Sequence, residues 1–482
     1  MKTEETGTQN VKEPSRRSFL KKTTATGAAS VVAAIGINAA APALLPEKMI
    51  FERNKSFWAR VLPPANPPLD KDMNVDVAVI GGGFTGLSAA YYLRKNQPGR
   101  EVALLEAQRC GNGASARNGA MMLNMTDDRF LQWSGEPELD KQLFDLTTDN
   151  IGRLQRLAAE FSVDAEIEQN GALQVFNTRK DAETGHEYIQ KIKPFGLPFE
   201  YWDPSKVREA IGTSVYEGGL FDPLSGQLHP GRLVGLFKTA AESTGAHIFE
   251  GTTIVGVEEG EELRLTTADG KTVRARTLIL ATNAFTSKLG YLRRAVAPFF
   301  DYVGITAPLS DAKLAETDWK KRIPFNDSRT EVFYLGLTRD NRIHIGGGLA
   351  DYEFNNGLEN PARAAGRYEE LRQELVRIYP KLEGEPFEVC WSGAVDMSLD
   401  QTPAVGRMGK HGNVLYALGF SGHGVNLTSV FGRILADLSD SKDVDWSWLP
   451  YLNRLPAYMP NEPFRWLGVQ MATQYYRLTE FK

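Results

Sequence analysis

The sequence predicts a mixed α/β protein (α+β overall) with a Rossmann-like nucleotide-binding domain. An apolar, β-branched run at residues 75–80 stops at glycines, a helical pattern follows at 84–95, and a second apolar run covers 101–106. These segments form one βαβ unit, and its crossover implies parallel strands. A second strand–glycine–helix unit, at residues 413–438, lies more than 300 residues later.

The chain between these two units alternates between helical and strand-like segments, which indicates further mixed α/β structure. Asp269-Gly270 is typical of a hairpin turn. The predicted helices cover residues 137–162, 231–245 and 361–379, and the predicted strands cover 247–249, 254–258, 263–267, 272–275, 277–282, 331–335 and 342–346.

Composition excludes several functional classes. The chain has 482 residues and a formal net charge of -5, which gives no reason to expect a nucleic-acid partner. Its two cysteines cannot build a disulfide scaffold or a multi-cysteine metal site. The six histidines are scattered without metal-motif spacing, so no metal site is predicted.

The N-terminus has the pattern of an export signal. Ser15–Lys22 contains the pair Arg16-Arg17 followed by Phe-Leu-Lys, and an uncharged, Ala-rich run covers residues 25–43. This pattern predicts a signal read by the twin-arginine export machinery, and hence a periplasmic protein. An uncleaved membrane anchor and a basic tail without targeting function are the alternatives. A Pro-rich linker precedes the βαβ unit.

The first glycine turn predicts a dinucleotide site. Gly81, Gly83 and Gly86 follow a strand and open a helix, and Glu106 ends the next strand. The glycines permit a tight turn and close approach of a pyrophosphate to the helix N-terminus. Glu106 would accept hydrogen bonds from ribose hydroxyls. A glycine-rich turn of an unrelated α/β fold is the alternative.

The second glycine turn favours FAD over NAD. Gly419–Gly424 follows a predicted strand and opens the helix predicted from Val425. A helix N-terminus here could stabilise the negative charge that develops on the flavin when it is reduced. A second G-x-G-x-x-G, which a separate NADPH site would need, is missing from the sequence.

These motifs resemble the D-amino-acid oxidase and sarcosine oxidase superfamily of FAD amine oxidoreductases. The resemblance rests on residues 75–120, with Gly113–Gly119, and on Leu228-His229-Pro230, residues 280–284, Trp391-x-Gly393, Asp400-x-x-Pro403 and Gly419–Gly424. Phe57-Trp58-Ala59, residues 337–342 leading into Gly346–Gly348, and the aromatic C-terminal tail are similar to the γ-glutamylputrescine oxidase branch.

The motif and the resemblance together imply a set of residues that bind FAD without a covalent bond. The set comprises Gly81, Gly83, Phe84, Thr85, Gly86, Glu106, Ala107, Gly113, Ala114, Ser115, Arg117, Asn118, Gly119, Ile254, Ala281, Gly419, Phe420, Gly422, His423, Gly424 and Val425.

The resemblance also implies a discontinuous substrate domain with a mixed sheet. Together with the export pattern and the Pro-rich linker, it divides the chain into segments. The segments are a signal (1–43), a linker (44–73), an FAD-binding domain (74–160, 218–290 and 390–440), a substrate domain (161–217 and 291–389) and an aromatic C-terminal extension (441–482).

The implied reaction is hydride transfer from the carbon beside a neutral amine nitrogen of a small-molecule substrate to the flavin. The resulting imine would hydrolyse to an aldehyde or keto acid, with oxygen as the acceptor of the electrons. One alternative is an exported dehydrogenase that passes electrons to a quinone or cytochrome. Another is a flavin-binding subunit without catalysis. Which amine is oxidised stays open.

Tyr334 and His423 are the candidate catalytic residues, and Tyr302 is a third choice. Tyr334 is expected on a strand covering the flavin face, and His423 lies within the second glycine turn. An ordinary core or hydrogen-bonding role is the alternative for both. Cys390 could attach the flavin covalently, although its spacing to the C-terminal signature is long, and Cys110 is predicted to be a buried thiol.

Overall fold

The computed structural model describes residues 55–124, 136–359, 364–440 and 446–480. The predicted signal (1–43) and the first part of the linker lie outside the described residues. The strands are β1 (Met73–Ile80), β2 (Val102–Leu105), β3 (Met121–Met122), β4 (Ala172–Val175), β5 (Glu200–Trp202), β6 (Gly219–Asp222), β7 (Gly226–Gln227), β8 (His247–Phe249), β9 (Ile254–Glu258), β10 (Leu263–Thr267), β11 (Thr272–Leu280), β12 (Val296–Thr306), β13 (Phe325–Asp327), β14 (Phe333–Leu337), β15 (Ile343–Gly347), β16 (Asp351–Tyr352), β17 (Phe387–Ser398), β18 (Ala404–Met408) and β19 (Val414–Leu418).

The helices connect these strands and flank the sheets. They are α1 (Phe84–Asn96), α2 (Pro137–Glu160), α3 (Arg179–Ile192), α4 (Pro204–Ile211), α5 (Pro230–Ser243), α6 (Asp311–Ala315), α7 (Ala364–Ile378), α8 (Gly424–Ser439) and α9 (Phe464–Glu480). Short 3-10 turns at Phe57–Val61 and Ala114–Ala116 lie beside the predicted cofactor loops.

The first sheet has the strand order β18-β19-β11-β1-β2-β8, with the hairpin β9–β10 attached to β11. Strands β19, β11, β1, β2 and β8 run parallel to one another. They are short and largely apolar on both faces because helices cover the sheet, as is usual for parallel strands. The predicted βαβ unit is therefore confirmed.

The second sheet is mixed, as predicted, and has the order β16-β12-β15-β14-β13-β4-β6-β5, with β17 along the other edge of β12. Strand β13 is parallel to β4, and the other pairs are antiparallel. The pairing of β12 with β17 extends from Val296 opposite Ser398 to Thr306 opposite Phe387. This pairing places β17, from the C-terminal part of the chain, directly beside β12, from its middle.

Some elements differ from the sequence expectation. The sequence predicts two strands at residues 272–275 and 277–282, but the structure has the single strand β11. The residues that form the hairpin with β10 continue directly into the buried residues 278–280. Strands β6 and β17 pair in the second sheet, although their residues fall partly in ranges predicted for the FAD-binding domain. The predicted domain limits themselves stay a prediction. The C-terminal extension contains the unpredicted helix α9.

Helices α1 and α8 pack side by side over the first sheet. The Ser88 hydroxyl of α1 donates to the Ser429 carbonyl of α8 over 2.9 Å. A Cβ on Gly432 would lie 2.6 Å from the Ser88 Cβ, so the helices approach closely only because this residue is glycine. Among the described residues, no helix has the length and apolarity needed to cross a membrane.

We predict that Gly432→Ala destabilises the protein by about 1–3 kcal/mol, because the added methyl group overpacks the α1–α8 contact. The matched control is Gly366→Ala in α7, where an added Cβ meets nothing within 4 Å. That change should be neutral or stabilise the protein by up to about 1 kcal/mol. Urea unfolding of both variants measures the difference, and equal effects would contradict this account of the packing.

Candidate cofactor and active site

The predicted cofactor loops converge at one edge of the first sheet. The first loop covers residues 81–86 after β1, the second covers 106–112 after β2, and the third covers 113–119. Strands β1, β2, β11 and β19 are parallel, so Ile80, Leu105, Leu280 and Leu418 all end at the same edge. The N–H of Gly81 donates to the Leu105 carbonyl over 3.0 Å, which joins the first two loops directly. The carboxyl edge of an open α/β sheet is the usual place for a ligand.

The first turn requires glycine at two positions. Gly81 has a φ of +109°, and a Cβ there would lie 2.4 Å from the Ala281 carbonyl oxygen. A Cβ on Gly86 would lie 1.9 Å from the Gly81 carbonyl oxygen. Any larger residue would push α1 away from the sheet edge. The turn therefore places the N-terminus of α1 where β1 and β11 end.

The N-terminus of α1 has the backbone geometry that suits an anion. The Phe84 N–H donates to the Ser115 hydroxyl over 2.9 Å, while the other N–H groups of the first turn have no acceptor within the helix. An added Cβ on Gly113 would meet nothing within 4 Å, so the backbone beside Ser115 is open. Unpaired N–H groups and the helix dipole suit a phosphate.

Glu106 ties the second loop to the first. Its carboxylate accepts hydrogen bonds from the Gly82 N–H over 2.7 Å and from the Gln108 N–H over 2.9 Å. Burial raises the pKa of Glu106, and these two hydrogen bonds oppose the increase. The side chain is still partly exposed. Because a carboxylate can accept about four hydrogen bonds, it retains capacity for ribose hydroxyls.

Arg117 anchors the third loop to the second sheet. Its guanidinium donates to the carbonyls of Asn112, over 2.8 Å, and Ser392, over 2.9 Å. Burial lowers the pKa of Arg117 to about 10. The next residue, Asn118, donates to the Ser115 carbonyl, and its own carbonyl accepts from the Trp58 indole N–H. The loop is thus held by two residues that lie far from it in sequence, Ser392 and Trp58.

The C-terminal turn lies on a buried carboxylate. Gly419, Ser421 and Gly422 have positive φ values of +76°, +48° and +90°, and His423 is the N-cap residue of α8. Asp396 is fully buried and accepts a hydrogen bond from the Gly419 N–H over 2.6 Å. Burial raises the pKa of Asp396 to about 7.

Tyr334 lies where the second sheet meets the third loop. Its ring is packed so closely that a Cβ on either Gly119 or Gly346 would lie 2.3 Å from it. The phenol donates to the Asp301 carboxylate over 2.6 Å. Burial raises the pKa of Asp301, and burial with the adjacent carboxylate raises that of Tyr334. Both side chains keep partial exposure.

The structure places Tyr302 and Cys390 away from this edge. Side chains alternate along β12, so Tyr302 is buried on the opposite face from Asp301 and donates to Asp351 over 2.9 Å. The Cys390 thiol is beside Tyr368 of α7, and burial raises its pKa to about 11. Cys390 and Cys110 are both free thiols, and Cys110 is buried as predicted.

The predicted FAD-binding residues differ in their exposure to solvent. Those partly exposed are Gly81, Gly83, Glu106, Gly113, Ala114, Ser115, Asn118, Gly119, Ala281, His423 and Gly424. The exposed ones are Ala107 and Gly422. Those buried are Phe84, Thr85, Gly86, Arg117, Ile254, Gly419, Phe420 and Val425. Among the described residues, no cluster of three or more histidine, cysteine or acidic side chains could hold a metal ion.

Sequence reasoning missed Asp301 and Asp396. Each is an acidic residue flanked by apolar side chains: Asp301 is the single acidic residue of β12, and Asp396 lies eight residues after Glu388 in β17. A lone charge within an apolar run was the available signal, since buried carboxylates need specific partners. The partners are distant in sequence, so the signal alone could not identify their roles.

We predict that burial of Asp396 lowers the free energy of unfolding by a larger amount as the pH rises. An unfolded Asp titrates near pH 4, whereas the folded pKa is about 7, so the folded state alone holds this proton between these values. Stability therefore falls as pH rises through this window. Asp396→Asn should remove that part of the slope, which unfolding measured from pH 4.5 to 8 would detect. An unchanged slope would contradict the assignment.

Comparison with known proteins agrees with this geometry. Residues 76–438 match the family model described as FAD dependent oxidoreductase. The chain is 30% identical to the probable oxidoreductase OrdL of Haemophilus influenzae, over 86% of this chain and 94% of that protein. It is 28% identical to gamma-glutamylputrescine oxidoreductase of Escherichia coli, over 80% of this chain and 89% of that one.

The fold is also similar to that of a solved structure. Glycine oxidase from Geobacillus kaustophilus aligns with a TM-score of 0.68 and 21% identity, covering 80% of this chain and 100% of that chain. The predicted family, fold class and FAD cofactor are thereby confirmed. The chain belongs to the D-amino-acid oxidase (DAO) family of FAD-dependent oxidoreductases.

Proposed function

We propose that this enzyme oxidises a small molecule at the carbon next to an amine nitrogen, giving an imine that hydrolyses to an aldehyde or keto acid. The observation that carries the proposal is the Asp301–Tyr334 pair beside the cofactor loops. Among the described residues, no lysine, arginine or histidine forms an ion pair with Asp301. An ammonium group on the substrate would supply the missing positive charge.

The residues at the sheet edge fit FAD. The α1 N-terminus, the Ser115 hydroxyl and the open backbone at Gly113 would hold the pyrophosphate, and Glu106 would accept from the ribose. The N-terminus of α8 would support the far end of the cofactor, where charge develops on reduction. Bound FAD supplies the redox chemistry by accepting a hydride.

The chain's own residues would orient the substrate and move a proton. The Asp301 carboxylate, oriented by the Tyr334 phenol and by the Tyr302 N–H over 2.8 Å, would bind the ammonium and then accept its proton. The raised pKa of Asp301 makes it a better proton acceptor than an ordinary carboxylate. The Tyr334 ring would also cover the reacting centre and exclude water.

The relatives support an amine or amino-acid substrate but differ in their acceptor. Gamma-glutamylputrescine oxidoreductase and glycine oxidase are named for such substrates, and D-amino acid dehydrogenase of Methylobacterium radiotolerans, 27% identical, is named as a dehydrogenase. We propose oxygen as the acceptor. We also propose export through the twin-arginine machinery to the periplasm, on the pattern at Ser15–Lys22.

We predict that anaerobic addition of the correct amine bleaches the flavin absorbance of the holoenzyme. The panel comprises polyamines, γ-glutamylated amines, N-methyl amino acids and D-amino acids. Under air, the same substrate should yield one hydrogen peroxide per turnover. Bleaching without peroxide would support the dehydrogenase alternative. If no amine bleaches the flavin, the enzymatic proposal fails and a non-catalytic flavin-binding role gains support.

We predict that Asp301→Asn slows flavin reduction by about 10²–10⁴-fold, because the proton acceptor and the countercharge are lost. Tyr334→Phe should slow it less, since the carboxylate remains. FAD content should not change in either variant. Asp340→Asn, at a surface carboxylate paired with Arg342, is the control and should leave the rate unchanged. Wild-type rates in Asp301→Asn would exclude this role.

A further inference from the structure

Helix α9 (Phe464–Glu480) carries an exposed apolar stripe. Five of its large apolar side chains are between 45% and 71% exposed, so the other described residues leave about half or more of each uncovered. We call these side chains the α9 stripe; they are Phe464, Leu467, Met471, Tyr475 and Leu478. At 3.6 residues per turn they fall within an arc of about 80°. A contiguous apolar face of this kind on a soluble surface marks an interaction site.

The opposite face already holds the helix on the protein. Arg465 and Thr473 are buried, and the Arg465 guanidinium donates to the Arg293 carbonyl over 3.2 Å and bonds Glu462 over 3.1 Å. The helix is therefore attached without help from the stripe. Apolar side chains on its outer face contribute nothing to that attachment, so their presence there requires another explanation.

Gly468 lies beside the stripe and is a second, independent feature. An added Cβ at this position would meet nothing within 4 Å, so no contact inside the chain requires glycine. Glycine in the middle of a helix costs about 1 kcal/mol relative to alanine. Close approach of the backbone of another helix would account for it.

The spacing of the stripe is symmetrical about Met471. The other members lie four and seven residues away on each side, at Leu467 and Phe464 in one direction and at Tyr475 and Leu478 in the other. A twofold interface requires that residue i of one copy contacts residue j of the other and the reverse. A symmetrical stripe meets this requirement when two helices pair antiparallel.

We propose that the α9 stripe pairs with the same stripe of a second copy of this chain, antiparallel, with the twofold axis at Met471. In this arrangement Met471 contacts its own equivalent, Leu467 contacts Tyr475, and Phe464 contacts Leu478. The inference is independent of the proposed substrate and reaction.

The charges around the stripe favour a second copy over a membrane surface. Arg477 pairs with Glu370 at 3.6 Å, and the Glu480 carboxylate accepts from the Thr330 N–H and hydroxyl. A helix that lies on an anionic membrane is typically rich in lysine and arginine on its polar face. In the described part of α9, both arginines already have partners inside the chain.

The area is sufficient for a specific pair. Aromatic side chains offer roughly 150–250 Å² each, and leucine and methionine somewhat less. Ten such side chains, about half exposed, would therefore bury at most roughly 1,000 Å² in total. That value is about the minimum for a biological interface. Pairing would form a dimer whose affinity is sensitive to single changes in the stripe.

The experiment uses the FAD-loaded full chain with single cysteine substitutions. Met471→Cys should cross-link two chains under mild oxidation, because the two positions meet at the axis. Leu478→Cys alone should not, since two such positions would be about 20 Å apart, beyond the reach of a disulfide. Mixing Phe464→Cys with Leu478→Cys chains should give a mixed cross-link. Cross-linking by Leu478→Cys alone would indicate a parallel pair and overturn the arrangement.

Sedimentation velocity tests the pairing itself. The wild type should be a dimer, and Met471→Glu should raise its dissociation constant at least about 100-fold, because two carboxylates would be buried face to face. Val255→Glu, at an apolar side chain of similar exposure in β9, is the control and should remain dimeric. Retained FAD absorbance shows that both variants fold. A monomeric wild type, or vesicle binding by a monomer that Met471→Glu abolishes, would overturn the proposal.

Discussion

The candidate site depends on the close approach of Gly81 to Gly86 and Ala281. Two carbonyl oxygens lie within 2.4 Å of where Cβ atoms would stand, so side chains at these glycines would separate β1, β11 and α1. The contact fixes the position of the α1 N-terminus relative to the sheet edge. The second helix at this edge, α8, follows from it, because Gly432 and Ser88 allow α8 to pack directly on α1. Two close approaches that require glycine therefore position both helix N-termini.

The second sheet reaches this edge through a long antiparallel pair. Strand β17 carries Trp391, whose indole donates to the Arg117 carbonyl over 2.9 Å, and its neighbour β12 carries Asp301. Alternation along β12 then separates two adjacent polar residues, with Asp301 toward the cofactor loops and Tyr302 in the core under α7. The proposed chemistry thus depends on strand register, since a slip of one residue would exchange these faces.

This dependence on register explains what could be predicted from the sequence. Local signals were sufficient for β1, α1, the glycine turn and the hairpin at Gly270, because spacing along the chain determines each of them. The β12–β17 ladder joins segments about 90 residues apart, and no short pattern specifies such a register. Asp301 and Asp396 were missed for the same reason. Tyr334 was selected only because the family resemblance suggested its strand, and its role stays a prediction.

Carboxylates complete the site because its loops leave backbone N–H groups without partners. Glu106 accepts from Gly82, and Asp396 accepts from Gly419, in turns whose positive φ values prevent ordinary pairing. Glu250 does the same for Cys110, and there Lys238 balances the charge. Asp396 has no such cation among the residues that the structure describes, and its pKa is raised to about 7. The turn that would face the flavin therefore rests on a group that gains or loses a proton near neutral pH, so the strength of Asp396 as a hydrogen-bond acceptor varies with pH.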